Sequence, residues 1–127
     1  MYTVEFYEDK NGNSQIFEFI EELRVKSISN KDARIQYKQM SMYFELLSLN
    51  GTNMNDNITK HIEDGIWELR PGVNRIFYFF YNNDTYVLLH QFRKRTQKTP
   101  KSEIEKAKRE REDYFKRKGL SNNENMG

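Results

Sequence analysis

The sequence of 127 residues contains no cysteine and only two prolines and two histidines. Without thiols, disulfides, thiolate metal sites and cysteine nucleophiles are excluded, and two histidines are too few for a histidine-rich metal centre. We therefore expect neither a metal nor a cofactor. No apolar run approaches the roughly 20 residues that cross a bilayer, and the first residues alternate like a strand instead of forming a signal peptide. These absences predict a cytoplasmic protein without membrane contact.

The chain length fits one compact domain, and the 36% of hydrophobic residues suffice for one core. We predict a single domain over residues 1–118, followed by a flexible tail over residues 119–127. The formal net charge of +2 conceals a basic segment, because residues 93–118 hold 12 basic and 5 acidic side chains. This asymmetry indicates either a local anion-binding surface or a solvated basic helix.

Hydrophobic periodicity predicts elements in the order β-α-α-β-β-β-β-α. Strands are predicted near residues 2–7, 58–64, 66–70, 75–81 and 85–95, and helices near residues 15–26, 31–49 and 100–118. Short turns between the later strands make these strands antiparallel neighbours. We therefore predict an α+β fold, with a twisted antiparallel sheet, two N-terminal helices packed on one face and a C-terminal helix. We expect the other face to stay partly open as a binding surface.

Two arginines flank a predicted four-residue loop. Arg70 ends one strand and Arg75 begins the next, so closure of the hairpin places them opposite each other on one face. Like charges in this position repel. An acidic partner such as Glu68, or an external anion, would justify the pair. The alternative is that both side chains point into solvent at the rim.

A basic corner follows and comes back beside Arg75 in the predicted meander; it comprises Arg93, Lys94, Arg95 and Lys98. Which of these side chains share the face of Arg75 depends on the turn at residues 82–84. A three-residue turn places Gln91 opposite Arg75 and points both corner arginines at its face. A two-residue turn pairs Phe92 with Arg75 and points His90 and Lys94 there. In either register several cations converge, as a phosphodiester would require.

Aromatic residues interleave with these cations, and those on the open face would stack on unpaired bases. Tyr78 and Phe79 point to opposite faces, so only one is a base platform; we assign Tyr78 to RNA binding. Metal-independent RNA cleavage needs a base for the 2′-hydroxyl, cations for the phosphorane charge and an acid for the leaving oxygen. Lys94 and His90 are candidates for proton transfer. However, a lone histidine after the apolar residues 87–89 is also typical of a satisfied core residue.

One joined motif comprises the strand Gly65-Ile66-Trp67-Glu68-Leu69-Arg70, the strand Arg75-Ile76-Phe77-Tyr78 and the corner from Leu89 to Pro100, closing with Glu103, Ile104 and Ala107. This motif resembles the phage-derived HigB branch of the RelE/ParE superfamily of type II toxins. The resemblance covers residues 60–115 strongly, and the first 60 residues match only in layout. Arg93 departs from the pattern, which usually has a hydrophobic residue there, so it is either an extra RNA contact or a solvent residue.

The resemblance implies a RelE-like fold and a ribosome-dependent mRNA endonuclease that enters the ribosomal A site. Cleavage in such toxins proceeds without metal, by attack of the 2′-hydroxyl, and leaves a cyclic phosphate. The resemblance also implies a HigA-like helix-turn-helix antitoxin, through which operator DNA is bound. The resemblance carries family roles over to Arg70 and Arg75 and to the corner residues Arg93, Lys94 and Arg95, and it leaves the general base unassigned. Together with the reasoning from the residues, we predict Arg70, Arg75, Lys94 and His90 as catalytic and Arg93, Arg95, Lys98 and Tyr78 as RNA-binding.

Two other functions remain open from the sequence. One is a ParE-like inhibitor that binds DNA gyrase without nuclease activity. The other is a remnant toxin that keeps only antitoxin binding. The clustering of cations beside aromatic residues favours RNA as the target.

Overall fold

A computed structural model describes the backbone of residues 1–126 and the side chains of residues 1–119. The predicted element order, β-α-α-β-β-β-β-α, is confirmed, and the fold is α+β. The strands are β1 (Thr3–Phe6), β2 (Thr59–Glu63), β3 (Ile66–Leu69), β4 (Asn74–Tyr81) and β5 (Thr85–Arg93), and the helices are α1 (Gln15–Lys26), α2 (Lys31–Asn50) and α3 (Lys101–Met126). Among residues 1–126, no helix combines the length and apolar composition needed to cross a membrane.

The ends of the first two helices follow from local side-chain chemistry. Ser14 caps α1 and Asn30 caps α2, and each side chain accepts the backbone N–H three residues further on. α2 ends at Gly51, which has a φ of 59°. A Cβ at this position would collide with Tyr86 and Tyr2, so glycine is required both for the turn and for the close packing.

α3 begins directly after Pro100, close to its predicted start, and continues to Met126. We predicted an end near Lys118 because the polar residues that follow form no apolar stripe. An established helix adds further turns at little cost, and composition does not show where such a polar extension stops. The side chains of residues 120–127 lie outside the described part of the chain, and the flexible tail over residues 119–127 stays a prediction.

The five strands form a single sheet in the order β1-β5-β4-β3-β2. Strands β2 to β5 are antiparallel neighbours, as predicted, whereas β1 runs parallel to β5. The difference follows from the connections, because tight turns join antiparallel strands and the long excursion through α1 and α2 permits a parallel neighbour.

Helices cover both faces of the sheet. One core, beneath α1 and α2, includes Met40 and Leu88. The other, beneath α3, includes Phe77, Ala107 and Tyr114. The expectation of a partly open face is therefore wrong along most of the sheet, because the apolar side of α3 covers it. The uncovered part lies where the β3–β4 hairpin meets the segment that leads into α3.

Candidate functional site

A β-bulge decides which side chains face the site. The strands β4 and β5 begin in the register of a three-residue turn over residues 82–84, but the register shifts by one further along, with Leu89 as the extra residue. Phe92 consequently lies opposite Arg75, and Gln91 does not. The turn thus has three residues, as in the first predicted register. Arg75 nevertheless pairs with Phe92, as in the register predicted for a two-residue turn.

The bulge separates the members of the basic corner. Lys94, Arg95 and Lys98 line the same pocket as Arg75. Arg93 instead lies on the α1/α2 face of the sheet, where it lines a different groove. Of the two registers left open by the sequence, the one that points Arg93 at the face of Arg75 is not formed there, because alternation along β5 directs Arg93 to the opposite side.

The pocket is strongly cationic and encloses about 70 Å³, several times the space that one water needs. Its charged lining consists of six cations and one carboxylate, namely Lys60, Arg70, Arg75, Lys94, Arg95, Lys98 and Glu68. A group of phosphate size and charge suits such a lining. Within the described residues, no cluster of three or more histidine, aspartate and glutamate side chains is arranged to hold a metal ion.

Arg70 and Arg75 meet at the carboxylate of Glu68. Oε1 of Glu68 lies 3.4 Å from Nε of Arg70 and 3.8 Å from Nε of Arg75, which confirms that the two arginines share one face. The hydroxyl of Thr99 donates to the other carboxylate oxygen at 3.3 Å. With 5% of its side chain exposed, Glu68 is the acidic partner that offsets the repulsion between the arginines.

The guanidinium of Arg75 is held firmly but is not saturated with hydrogen bonds. Its Nη1 donates to the carbonyl oxygens of Gly72 and Asn74, each at 2.7 Å. Its Nε is buried and has no hydrogen-bond partner among the described residues. Burial and the neighbouring charge of Arg70 lower the pKa of Arg75. A buried donor without a partner is costly, whereas the part of Arg75 that lines the pocket is available to an anion.

Gly72 and Asn74 are themselves fixed from the α1/α2 side of the sheet. Gly72 has a φ of 63°, which strains any other residue, and a Cβ there would meet the amide group of Gln39 and force that side chain to move. The Asn74 side chain donates to Gln36 at 3.0 Å and accepts from Gln91 at 2.8 Å. These contacts position the two carbonyl groups that hold Arg75.

The profile of the phage-derived Gp49-like protein family (DUF891) matches residues 26–112. The chain belongs to the Gp49-like family. This family is RelE-like and toxin-like, and the matched residues include α2, strands β2 to β5 and the whole pocket. A search of curated proteins finds no significant match.

Tyr78 of this Gp49-like protein does not face the pocket. It is fully buried in the core beneath α1 and α2, its hydroxyl lies 2.5 Å from that of Thr59, and burial raises its pKa. The prediction that Tyr78 stacks on an RNA base is therefore wrong, because no base can reach its ring. Phe79 is buried beneath α3, and Phe92 is the aromatic residue that lines the pocket.

His90 is also a core residue. It lies beneath α3, with Nδ1 2.5 Å from Glu110 and Nε2 3.1 Å from Glu103, and it does not line the pocket. Both ring nitrogens are thus engaged by carboxylates of α3. This placement agrees with the alternative of a satisfied buried histidine, and it gives His90 no contact with the pocket for the predicted proton transfer.

Lys60 and Thr99 also line the Gp49-like pocket, although the sequence pattern does not single them out as site residues. Lys60 lies opposite Glu68 because a register shift interrupts the β2–β3 pairing between His61 and Glu63. Thr99 directly precedes Pro100 and α3, and its hydroxyl donates to Glu68. Alternation within β2 could have placed Lys60 near the site, but only with the register known.

Proposed function

We propose that this Gp49-like chain is the toxin of a type II toxin-antitoxin system and cleaves mRNA on the ribosome. The observation that carries the proposal is the pocket, in which six cations surround one buried carboxylate. This arrangement suits a phosphodiester, whose oxygens accept hydrogen bonds from guanidinium groups. The ribosome and mRNA are proposed from the resemblance to HigB toxins, and membership of a RelE-like, toxin-like family supports this proposal.

In the proposed reaction the scissile phosphate lies against Arg70 and Arg75. The 2′-hydroxyl gives its proton to a water molecule, which acts as the base, and its oxygen forms a bond to phosphorus. The bond from phosphorus to the 5′-oxygen breaks, leaving a cyclic phosphate and a 5′-hydroxyl, and Lys94 protonates the departing oxygen. The two guanidinium groups stabilise the extra negative charge that develops on the phosphorane oxygens.

Further cations extend from the pocket and would hold the RNA backbone on either side. Arg95 and Lys98 lie on the segment between β5 and α3, and Lys60 lies across the pocket on β2. Phosphate contacts of this kind are weakened by salt. The proposed complex with the ribosome and mRNA is therefore expected to weaken steeply as ionic strength rises.

The proposed partner is a HigA-like helix-turn-helix antitoxin. A toxin-like family suggests an antitoxin, and the HigB resemblance specifies the helix-turn-helix type, which would also contact operator DNA. Because bacterial ribosomes translate mRNA in the cytoplasm, we expect the proposed activity to be cytoplasmic.

Induced expression in bacteria, followed by mapping of mRNA 5′ ends, tests the proposal. The expected result is growth arrest with new cuts inside translated regions, suppressed by co-expression of the neighbouring antitoxin gene. Arrest with intact messages and DNA-damage signalling would contradict it and indicate a gyrase inhibitor of the ParE type. Normal growth would also contradict it and indicate a remnant.

A further inference from the structure

The outward face of α2 carries three large apolar residues at seven-residue intervals. Ile35, Met42 and Leu49 are 47%, 53% and 53% exposed, respectively. Seven residues bring an α-helix back to within about 20° of the same direction, so the three side chains form one stripe, the α2 stripe. The buried residues Met40 and Leu47 point to the opposite side, toward the sheet. The stripe therefore contributes nothing to the core of the monomer.

Two opposite charges lie beside the α2 stripe. Lys38 and Glu45 are exposed and are also seven residues apart, so they follow the same edge of the stripe. Neither takes part in an ion pair among the side chains that the structure describes. Along the helix the face thus presents a cation toward one end, Met42 in the middle and an anion toward the other end.

We propose that the α2 stripe binds the α2 stripe of a second copy of this chain in an antiparallel, two-fold symmetric dimer. A pairing centred on Met42 places the two Met42 side chains together and Ile35 against Leu49 of the second copy. It also places Lys38 beside Glu45 of the second copy, and symmetry repeats each contact. Parallel two-fold pairing would instead place the charged edges of the two helices on opposite sides of the interface, where Lys38 and Glu45 form no pair. The face is therefore complementary to itself in the antiparallel direction.

The size of the stripe predicts a weak dimer. The 20 residues of α2 span about 30 Å, and a strip about 10 Å wide would bury roughly 600 Å² in total, below the range of stable interfaces. We therefore expect reversible association with a Kd of about 0.1 mM. α2 covers the face of the sheet opposite the cationic pocket, so dimerisation leaves the pocket accessible.

Sedimentation equilibrium of the purified full-length chain, from about 10 μM to 1 mM, tests the dimer. The wild type should shift from monomer to dimer across this range. Met42→Glu should raise the Kd at least about tenfold, since it buries repelling charges at the two-fold axis. Val25→Glu is the matched control, because Val25 is 57% exposed on α1, and it should leave the Kd unchanged. Circular dichroism checks that each variant is folded.

Charge reversal tests the antiparallel direction. Lys38→Glu alone and Glu45→Lys alone should each weaken the dimer, and the double variant should restore the wild-type Kd because it rebuilds both pairs with exchanged signs. A wild type that stays monomeric up to about 1 mM would overturn the proposal. So would a dimer that is insensitive to Met42→Glu, or a double variant no tighter than the single ones.

Discussion

Nε of Arg75 lies 3.8 Å from Oε1 of Glu68 and, although buried, makes no hydrogen bond with any residue that the structure describes. The carboxylate is thus close enough to offset the charge of the guanidinium without occupying its donor. Arg70 shares the same oxygen at 3.4 Å. Two arginines are consequently held beside each other at the wall of the cationic pocket, where their charge suits an incoming oxyanion.

Replacing Glu68 by glutamine should destabilise the fold. The substitution preserves the shape of the side chain but leaves Arg70 and Arg75 facing each other without a counter-charge. We expect the free energy of unfolding to fall by about 1–3 kcal/mol, as measured by urea denaturation. Glu63→Gln on the exposed end of β2 is a matched control, and it should cost about 0.5 kcal/mol or less. Equal effects of the two substitutions would show that Glu68 does not hold the arginines.

Lys94→Ala and Arg93→Ala each remove one basic side chain from neighbouring positions, but on opposite faces of the sheet. Lys94 lines the pocket, and Arg93 lies on the opposite face. If Lys94 protonates the leaving oxygen, Lys94→Ala should lower the rate of mRNA cleavage by about 10²-fold or more. Arg93→Ala should stay within about threefold of the wild type, since a residue away from the pocket transfers no proton. Equal losses in both variants would indicate a general loss of RNA binding.

His90→Gln should affect stability and leave the chemistry intact. The substitution removes an imidazole that contacts both Glu103 and Glu110 beneath α3, so the free energy of unfolding should fall by about 1–3 kcal/mol. Cleavage measured per folded molecule should not change. A loss of about 10²-fold in cleavage by a fully folded variant would return His90 to the catalytic residues.

The contact between Tyr7 and Asp113 predicts a pH-dependent contribution to stability. The Tyr7 hydroxyl donates to Asp113 at 2.6 Å, and this hydrogen bond lowers the pKa of Asp113. Burial, with Asp113 as a further cause, raises the pKa of Tyr7 to about 12. Ionised Asp113 favours the folded state, so its contribution exists above the unfolded carboxyl value of 3.8 and disappears as pH falls through the lower folded value.

Neutral Tyr7 likewise favours the folded state, and its contribution exists below the unfolded value of 10 and disappears as pH rises through about 12. Tyr7→Phe should therefore be less stable than the wild type by about 1 kcal/mol between these limits. The difference should shrink in acid and again in strong base. Thermal melts of both proteins across this range measure it, and a difference that is independent of pH would contradict the assignment.

The predictable part of the site is the part that rests on local pattern. Arg70 and Arg75 flank a short loop, so closure of one hairpin was enough to place them on one face. Lys94 and His90 could not be assigned in this way. The bulge at Leu89 shifts the register of β5, and it inserts a single residue that periodicity does not reveal.

The burial of the sheet face that was expected to stay open could not be predicted from the sequence, for a different reason. The apolar stripe of α3, with Ile104, Ala107 and Tyr114, was visible in the sequence, but the face of the sheet that it covers depends on tertiary packing. Once α3 occupies that face, Phe79 becomes a core residue, while Tyr78 is already enclosed by α1 and α2 on the other side. Aromatic residues in a strand therefore indicate a binding platform only when the covering layer is known.

The most direct measurement is the chemistry of the mRNA ends that the purified protein produces on translating ribosomes. The pocket predicts cuts that leave a cyclic phosphate and a 5′-hydroxyl, formed by the wild type and by Arg93→Ala but lost in Arg70→Ala. Arg70 lines the pocket with part of its side chain exposed, and a folded Arg70→Ala variant is the required control. Undiminished cleavage by Arg70→Ala, or ends with a 5′-phosphate, would show that the pocket is not the site of cleavage.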